Sequence, residues 1–250
     1  VTDGYAKHRA AAPSGFFEVE AAGLAWLQVP GGVPAARVLA VSPTSITVSR
    51  VASVPPSASA ARRFGAQLAT THSAGASAFG VGPDGWSGDG FIGDAPLSLR
   101  PTPRWGEFYA EQRLRPYAHR AHRQGSLDAS GLAVIQALAA RLSAGEFDDE
   151  LPPARLHGDL WAGNVLFSGD SVVLIDPAAH GGHRITDLAM LALFGLPYLD
   201  EVYAGYTEAF PLADDWTELI GLHQLHPLLV HAALFGGGYG AQAVQAAKRY

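Results

Sequence analysis

Apolar residues recur with helical spacing over residues 16–28, where Phe17, Ala21, Leu24 and Leu27 share one face and Glu20 keeps the same spacing. Before that segment, Asp3-Gly4 followed by Tyr5-Ala6-Lys7-His8 reads as the end of a hairpin turn entering a strand. Gly31-Gly32 breaks the helix, and residues 38–41 and 46–51 read as two short strands turning at Ser42-Pro43. Val54-Pro55-Pro56 then reads as a linker, so residues 1–53 form a small β/α/β/β unit.

Beyond the prolines the period becomes helical. Residues 58–72 predict a helix ending near His72, and residues 105–124 and 128–145 predict two more. Between them, residues 74–104 are rich in Gly, Pro and Ser and read as a long surface loop. After Arg155-Leu156-His157 and a turn, two short apolar runs flank Ser168-Gly169-Asp170 as a hairpin, and from residue 186 the pattern is helical again. The expectation is an α+β, bilobal chain: a small strand-rich lobe (1–53), a larger helical lobe (54–250), and a nucleotide in the cleft between them.

Composition narrows the function. Nearly half of the 250 residues are hydrophobic, enough for a core, and the net charge of −6 with no basic block argues against nucleic acid or an anionic membrane as partner. The absence of cysteine excludes disulfides and Cys-ligated zinc. No run of 18 apolar residues suggests a membrane span, and Val1-Thr2-Asp3-Gly4 has no apolar leader, so a cytoplasmic location is expected. The 17 basic residues include only Lys7 and Lys248 as lysines, which makes a strand lysine a specific choice.

Candidate chemistry concentrates in residues 157–164, HGDLWAGN, and in Asp176 twelve residues after Asn164. Asp159 sits on a tight Gly-containing loop, Asn164 is spaced to bind a metal from the same loop, and Asp176 closes the site at the end of the hairpin. Magnesium takes oxygen ligands and keeps several waters, so Asn164 and Asp176 suffice beside nucleotide phosphates. Asp159 is then free to orient a hydroxyl and accept its proton.

This arrangement resembles the catalytic loop of the protein-kinase-like superfamily, with Gly after His157 and Asp-Pro in place of Asp-Phe-Gly. The resemblance implies that Lys7 contacts ATP phosphates and pairs with Glu20 (Glu18 is the rival). It also implies that residues 48–51, Val48 and Arg50 among them, form the adenine hinge, and that Asp187 ties down the catalytic-loop backbone. From its position ahead of Leu188-Ala189-Met190, Asp187 also reads as a helix N-cap. Trp161 is open between a sugar platform and plain packing, and His157 and Arg184 are supporting candidates.

More finely, the chain resembles the fructosamine/ketosamine kinases over about residues 5–245. The segments that carry this are 157–164, 175–191 (IDPAAHGGHRITDLAML), 105–116 (WGEFYAEQRLRP) and 235–239 (FGGGY), with 89–93 (DGFIG) a weaker match. The resemblance implies Mg-ATP-dependent phosphorylation of a sugar hydroxyl on a glycated amine, free or on protein lysines, in deglycation repair. The family's N-terminal strands and Gly-rich phosphate loop are expected to be missing before Val1. Ile185 stands where the family carries Glu, and Leu97 and Leu99 stand where it carries Gln and Asn, so the preferred ketosamine stays open. The alternatives are a related kinase of aminoglycoside, choline or homoserine type, and a nucleotide-binding pseudokinase-like module. Gly80-x-Gly82-x-x-Gly85 lacks the following helix of a dinucleotide site, and His119/His122 and His223/His226 lack a partnering Glu for zinc, so packing or surface roles are expected there. A helix break lining the substrate side is one reading of the segment 235–240.

Overall fold

The structure, a computed structural model, describes residues 4–250; Asp3 of the expected hairpin turn lies outside them. Strand β1 (Gly4–His8) leads to helix α1 (Phe16–Trp26), then β2 (Val38–Ser42) and β3 (Ser45–Ser49). They form an antiparallel sheet in the order β1-β3-β2, with Lys7 opposite Ile46. Phe17 and Leu24 of α1 are buried on its core side. The sheet is sewn to the rest of the chain through residues 34–36: Leu174 N–H donates to the Pro34 carbonyl at 2.8 Å, and Ala36 N–H donates to the Leu174 carbonyl at 2.9 Å.

Helix α2 (Ala58–Ser73) is capped by Ser57, whose hydroxyl accepts from Ala60 N–H. Residues 74–104 are not the surface loop their composition predicts. They contain a hairpin of β4 (Gly90–Ile92) and β5 (Ala95–Leu97), and Phe79, Ile92, Ala95, Leu97 and Leu99 are buried. Frequent Gly and Pro break the periodicity of these apolar residues without removing their drive to pack.

Helix α3 (Trp105–Phe108) continues through a π-helical turn, Tyr109–Leu114, into α4 (Arg115–Arg123). Pro116 lacks an N–H and its ring crowds the carbonyl of Gln112, four residues back, so the helix widens there; the Gln112 carbonyl accepts instead from the Arg113 guanidinium at 3.2 Å. Helix α5 (Ala129–Ser143) is capped by Asp128.

Strand β6 (Ala154–Leu156) leads into the loop of interest, and a 3-10 turn (Ala162–Asn164) leads out of it into the hairpin β7 (Val165–Ser168) and β8 (Ser171–Leu174). Strand β9 (His180–Gly182) pairs antiparallel with β6. These three-residue strands carry no readable period in the sequence. Helices α6 (Ile185–Leu193), α7 (Leu199–Ala209), α8 (Ile220–His223), α9 (Leu225–Phe235) and α10 (Tyr239–Ala247) complete the chain.

Two apolar clusters hold these elements. One joins Phe17, Leu24 and Ile46 to Phe64 and Leu68 of α2, Leu174 of the hairpin and Leu188 of α6. The other joins Leu97, Leu99 and Phe108 to Ile135 of α5, Leu229 of α9 and Ala243 of α10. The loop 157–164 and Asp176 are held where these elements converge on a cleft.

Candidate active site

The loop after β6 is closed by its own polar groups. His157 Nε2 lies 2.8 Å from the Ile175 carbonyl, to which it donates. That leaves Nδ1 to accept from Asp159 N–H at 3.2 Å. The Asn164 amide donates to the Asp159 carbonyl at 2.8 Å and to Asp159 Oδ2 at 3.2 Å. Gly158 has φ +82°, and a Cβ there would lie 2.2 Å from the Ala178 carbonyl oxygen, so the turn that presents Asp159 requires glycine. Asp176 itself has φ +54°, an uncommon conformation for a non-glycine residue.

Asp187 anchors this loop from behind. Its carboxylate accepts from His157 N–H at 2.8 Å and from Gly158 N–H at 3.0 Å. The N-cap position of α6 belongs to Arg184, so Asp187 lies in the helix's first turn and the N-cap reading is corrected. Asp187 Oδ2 also lies 3.2 Å from His72 Nε2, and His72 Nδ1 lies 2.8 Å from the Tyr206 hydroxyl. Arg184 donates to that hydroxyl at 3.0 Å and stacks on Phe210 at 3.6 Å, so it sits behind the loop rather than in the cleft. Burial holds His72 below its ordinary pKa, which makes it neutral. The tautomer with hydrogen on Nε2 then satisfies all three partners: Tyr206 donates to His72, and His72 donates to Asp187. Burial opposes the Asp187 anion, but His72, His157 and the loop N–H of Gly158 outweigh it and hold the carboxyl below the usual range.

In front of the loop, Lys7 Nζ pairs with Glu20 and, at 2.8 Å, with Asp176 Oδ1. Burial disfavours the Lys7 ammonium, yet the two carboxylates raise its pKa above the ordinary value, so it stays protonated. The Glu18 side chain makes no such pair. Burial pushes the Asp159 carboxyl above the usual carboxylate range, against the opposing pull of His157 and Asn164.

Three cavities meet at these groups. The largest, about 460 Å³, is lined by Lys7, Glu20, Asp159, Asn164 and Asp176. A second, about 240 Å³, runs between residues 48–51 and Leu166 and Ile175, and shares Lys7 and Asp176 with the first. The third, also about 240 Å³, is mainly apolar and extends from Asp159 and Trp161 to Met190, Phe194, His231 and Phe235. Trp161 is 41% exposed, with Phe194 edge-on at 6.2 Å. The segment 235–240 does break the helix here: α9 ends at Phe235, and Gly236 and Gly237 take positive φ. Leu97 and Leu99 line none of these cavities; they are core residues. His72, Tyr206, Phe194 and His231 were not singled out from the sequence. They come from helices far apart in the chain, and only His231, four residues before Phe235, left a local trace. Of the histidine pairs, His223 stacks on Trp105 at 4.7 Å and His122 bonds the Leu127 carbonyl, which are packing roles.

A strand lysine paired with a helix glutamate, facing a loop Asp and Asn and a hairpin Asp across a cleft, defines the protein-kinase-like class. Within it, the chain belongs to the fructosamine kinase family, whose model matches residues 3–250. It is 36% identical over 189 residues to the probable ketoamine kinase slr1563 of Synechocystis, an alignment covering 75% of this chain and 61% of that protein. The chain thus spans less than two thirds of that relative's length. A crystal structure of a candidate fructosamine-3-kinase from Thermobifida fusca YX-ER1 superposes with a TM-score of 0.91 at 47% identity, covering 99% of this chain and 85% of the other. The gentamicin–APH(2")-IIa complex shares the fold alone, with a TM-score of 0.62 at 12% identity over 99% of this chain and 85% of that one. No helix among the described residues is long and apolar enough to cross a membrane.

Proposed function

We propose that this chain carries the catalytic machinery of an ATP-dependent kinase that phosphorylates a sugar hydroxyl of fructosamine- or ribulosamine-type glycated amines. The observation that carries this reading is the convergence of Lys7, Glu20, Asp159, Asn164 and Asp176 on one cavity. Residues 1–53 serve as the nucleotide-side lobe and residues 54–250 as the lobe holding the catalytic loop and acceptor. Adenine fits the slot beside Val48 and Arg50, recognised through the backbone of residues 48–51. Lys7, steadied by Glu20, holds the phosphates at the mouth of that slot.

The donor set fits a magnesium ion. The amide nitrogen of Asn164 is committed to the loop, which leaves its carbonyl oxygen for a cation, and Asp176 adds a carboxylate 45% exposed to the cleft. No cluster of three or more His, Asp or Glu among the described residues could hold a metal unaided, which suits an ion that keeps waters and phosphate oxygens. Asn164 and Asp176 would hold the ion, which would supply positive charge to offset the charge that develops in transfer.

Asp159 accepts a hydrogen bond from the acceptor hydroxyl, aims its oxygen at the terminal phosphorus and takes the proton as the new oxygen–phosphorus bond forms and the bond from that phosphorus to the ADP oxygen breaks, with ADP leaving. The Asp159 pKa, raised by burial, makes its carboxylate form a better base than an ordinary carboxylate. Asn164 and His157 fix its position through the loop. The apolar cavity beyond Trp161 receives the rest of the glycated amine, with the Trp161 ring as one wall.

The test is ADP release by the full-length protein with Mg-ATP against fructosyl- and ribulosyl-lysine, aminoglycosides and choline. Release confined to the ketosamines is expected, and Asp159→Ala or Asp176→Ala is expected to lower turnover about 100- to 10,000-fold. Near-normal rates in either variant overturn the assignment of these residues; release only with another amine overturns the substrate.

A further inference from the structure

The acceptor cavity has an annex on the far side of Ile92, Met190 and Pro227. These three residues line both spaces, and the annex is completed by Gly158, Thr186, Asp187 and His226. It leaves room for about one water-sized group. Gly158 in its wall immediately precedes Asp159 in the chain, and Asp159 lines the acceptor cavity.

The polar groups around the annex are committed elsewhere, with one exception. Asp187 binds His72 and the loop N–H groups, and the Thr186 hydroxyl pairs with His223 at 2.9 Å. The exception is His226. It is 3% exposed, and its buried Nε2 has no hydrogen-bond partner among the described residues. Leaving a buried polar nitrogen unpaired is costly, and among the described residues this is the one such side-chain atom on a residue that lines the annex. Burial, and then Arg113, His180 and His231, hold this imidazole neutral. A neutral Nε2 is a donor in one tautomer and an acceptor in the other, and a hydroxyl serves either. An ammonium serves only the second, and a carboxylate only the first.

We propose that the annex is a hydroxyl subsite of the acceptor pocket, in which His226 Nε2 binds one sugar hydroxyl other than the one phosphorylated. The inference rests on the kinase reading and specifies its substrate: a polyhydroxylated acceptor held by a second hydroxyl. In the free protein one water occupies the annex, and the acceptor hydroxyl displaces it while reproducing its hydrogen bond. The walls the two spaces share are apolar, so this one contact supplies polar discrimination where the cavity otherwise has little. A site built around such a contact rejects the analogue that lacks the hydroxyl, because the nitrogen is then stranded. His226 is thereby a specificity residue that takes no part in the chemical step.

The experiment compares kcat/KM of the full-length protein for a fructosyl-alkylamine and its mono-deoxy analogues, each missing one hydroxyl that is not phosphorylated. On the natural protein, one analogue is expected to lose about tenfold or more, and in His226→Phe and His226→Leu that loss is expected to shrink to within about threefold. If no analogue loses more than about threefold on the natural protein, the annex holds only water and the inference fails, whether or not the variants fold. If the loss persists unchanged in folded variants, another residue holds the hydroxyl and the inference fails. Both failures occur with the parent ketosamine still turned over, which separates them from failure of the kinase reading, where no ketosamine is turned over at all.

Discussion

Charge is held in two different ways on the two sides of the loop 157–164. In front, the Lys7, Glu20 and Asp176 side chains are 23%, 12% and 45% exposed and meet around one ammonium. Behind, His72, Asp187, Tyr206 and Arg184 are no more than 3% exposed and form a chain of hydrogen bonds from α7 to the backbone of residues 157 and 158. Water can reach the front group, so its geometry can change when a ligand arrives. Nothing can replace a partner in the rear group, so the loop it holds keeps one arrangement. The front group is built to bind and the rear group to position.

The largest expected effect strikes the rear. Asp187→Ala removes the acceptor of two loop N–H groups and of His72, leaving three buried donors unpaired, and should cost about 3 kcal/mol or more of stability, at about 1–3 kcal/mol for each stranded donor. Denaturant unfolding measures it, and turnover should fall with the fold. A loss under about 1 kcal/mol would erase the distinction between the two sides.

Acid provides the next test, because it acts mainly on the buried histidines. His72, His223 and His226 are held neutral by burial, and His180 is pushed down to about 3. In the unfolded chain these rings take a proton near pH 6.5, so below that pH the unfolded state binds more protons and stability falls. Asp187, with its lowered pKa, adds a further loss once the unfolded carboxyl protonates below about pH 4. Burial raises the carboxyls of Asp159 and Glu20, which makes the folded state bind protons first and gives the opposite sign. That offset is confined to the window between the ordinary carboxylate range and their raised values. Tm should therefore drop measurably from pH 7 to pH 5. A flat Tm over that interval would contradict neutral buried imidazoles.

The same division explains what the sequence made legible. The front group and the loop are constrained by chemistry to fixed residue types at short spacings: HGD, Asn164 five residues after Asp159, Asp176 at a hairpin's end, and a lone lysine on a strand. Such spacing survives in one dimension. The rear group has only its fold in common. His72 closes a helix whose start and end the apolar period did predict, but nothing local says that its ring will meet Tyr206, 134 residues on. Asp187 is legible through the family resemblance as the residue that ties down the loop backbone, while its reading as a cap, from its place ahead of an apolar run, fails because the helix begins two residues earlier, at Ile185, which is buried. Leu97 and Leu99, placed near the sugar by analogy of position, face the core because the β4–β5 hairpin turns them inward. That hairpin is three residues on a side, too short to show a period.

The smallest expected effect on stability completes the contrast. Lys7→Met removes the ammonium shared by Glu20 and Asp176 but keeps a side chain of similar length. The contact to Asp176, 45% exposed, is screened by water and salt, whereas Glu20, 12% exposed, loses its partner inside the wall of the cleft. Stability should fall by about 1–3 kcal/mol, the cost of one stranded buried polar group and less than for Asp187→Ala, read from the denaturation midpoint at constant m-value. The same substitution should lower kcat/KM for ATP about tenfold or more, since it removes a charge-assisted contact to phosphate at the cleft. A residue that matters more to turnover than to folding belongs to the binding side of the loop. If Lys7→Met instead unfolded the protein as Asp187→Ala is expected to, the ion pair would be part of the scaffold, and the cleft would lose the freedom to exchange Asp176 between the ammonium and a cation.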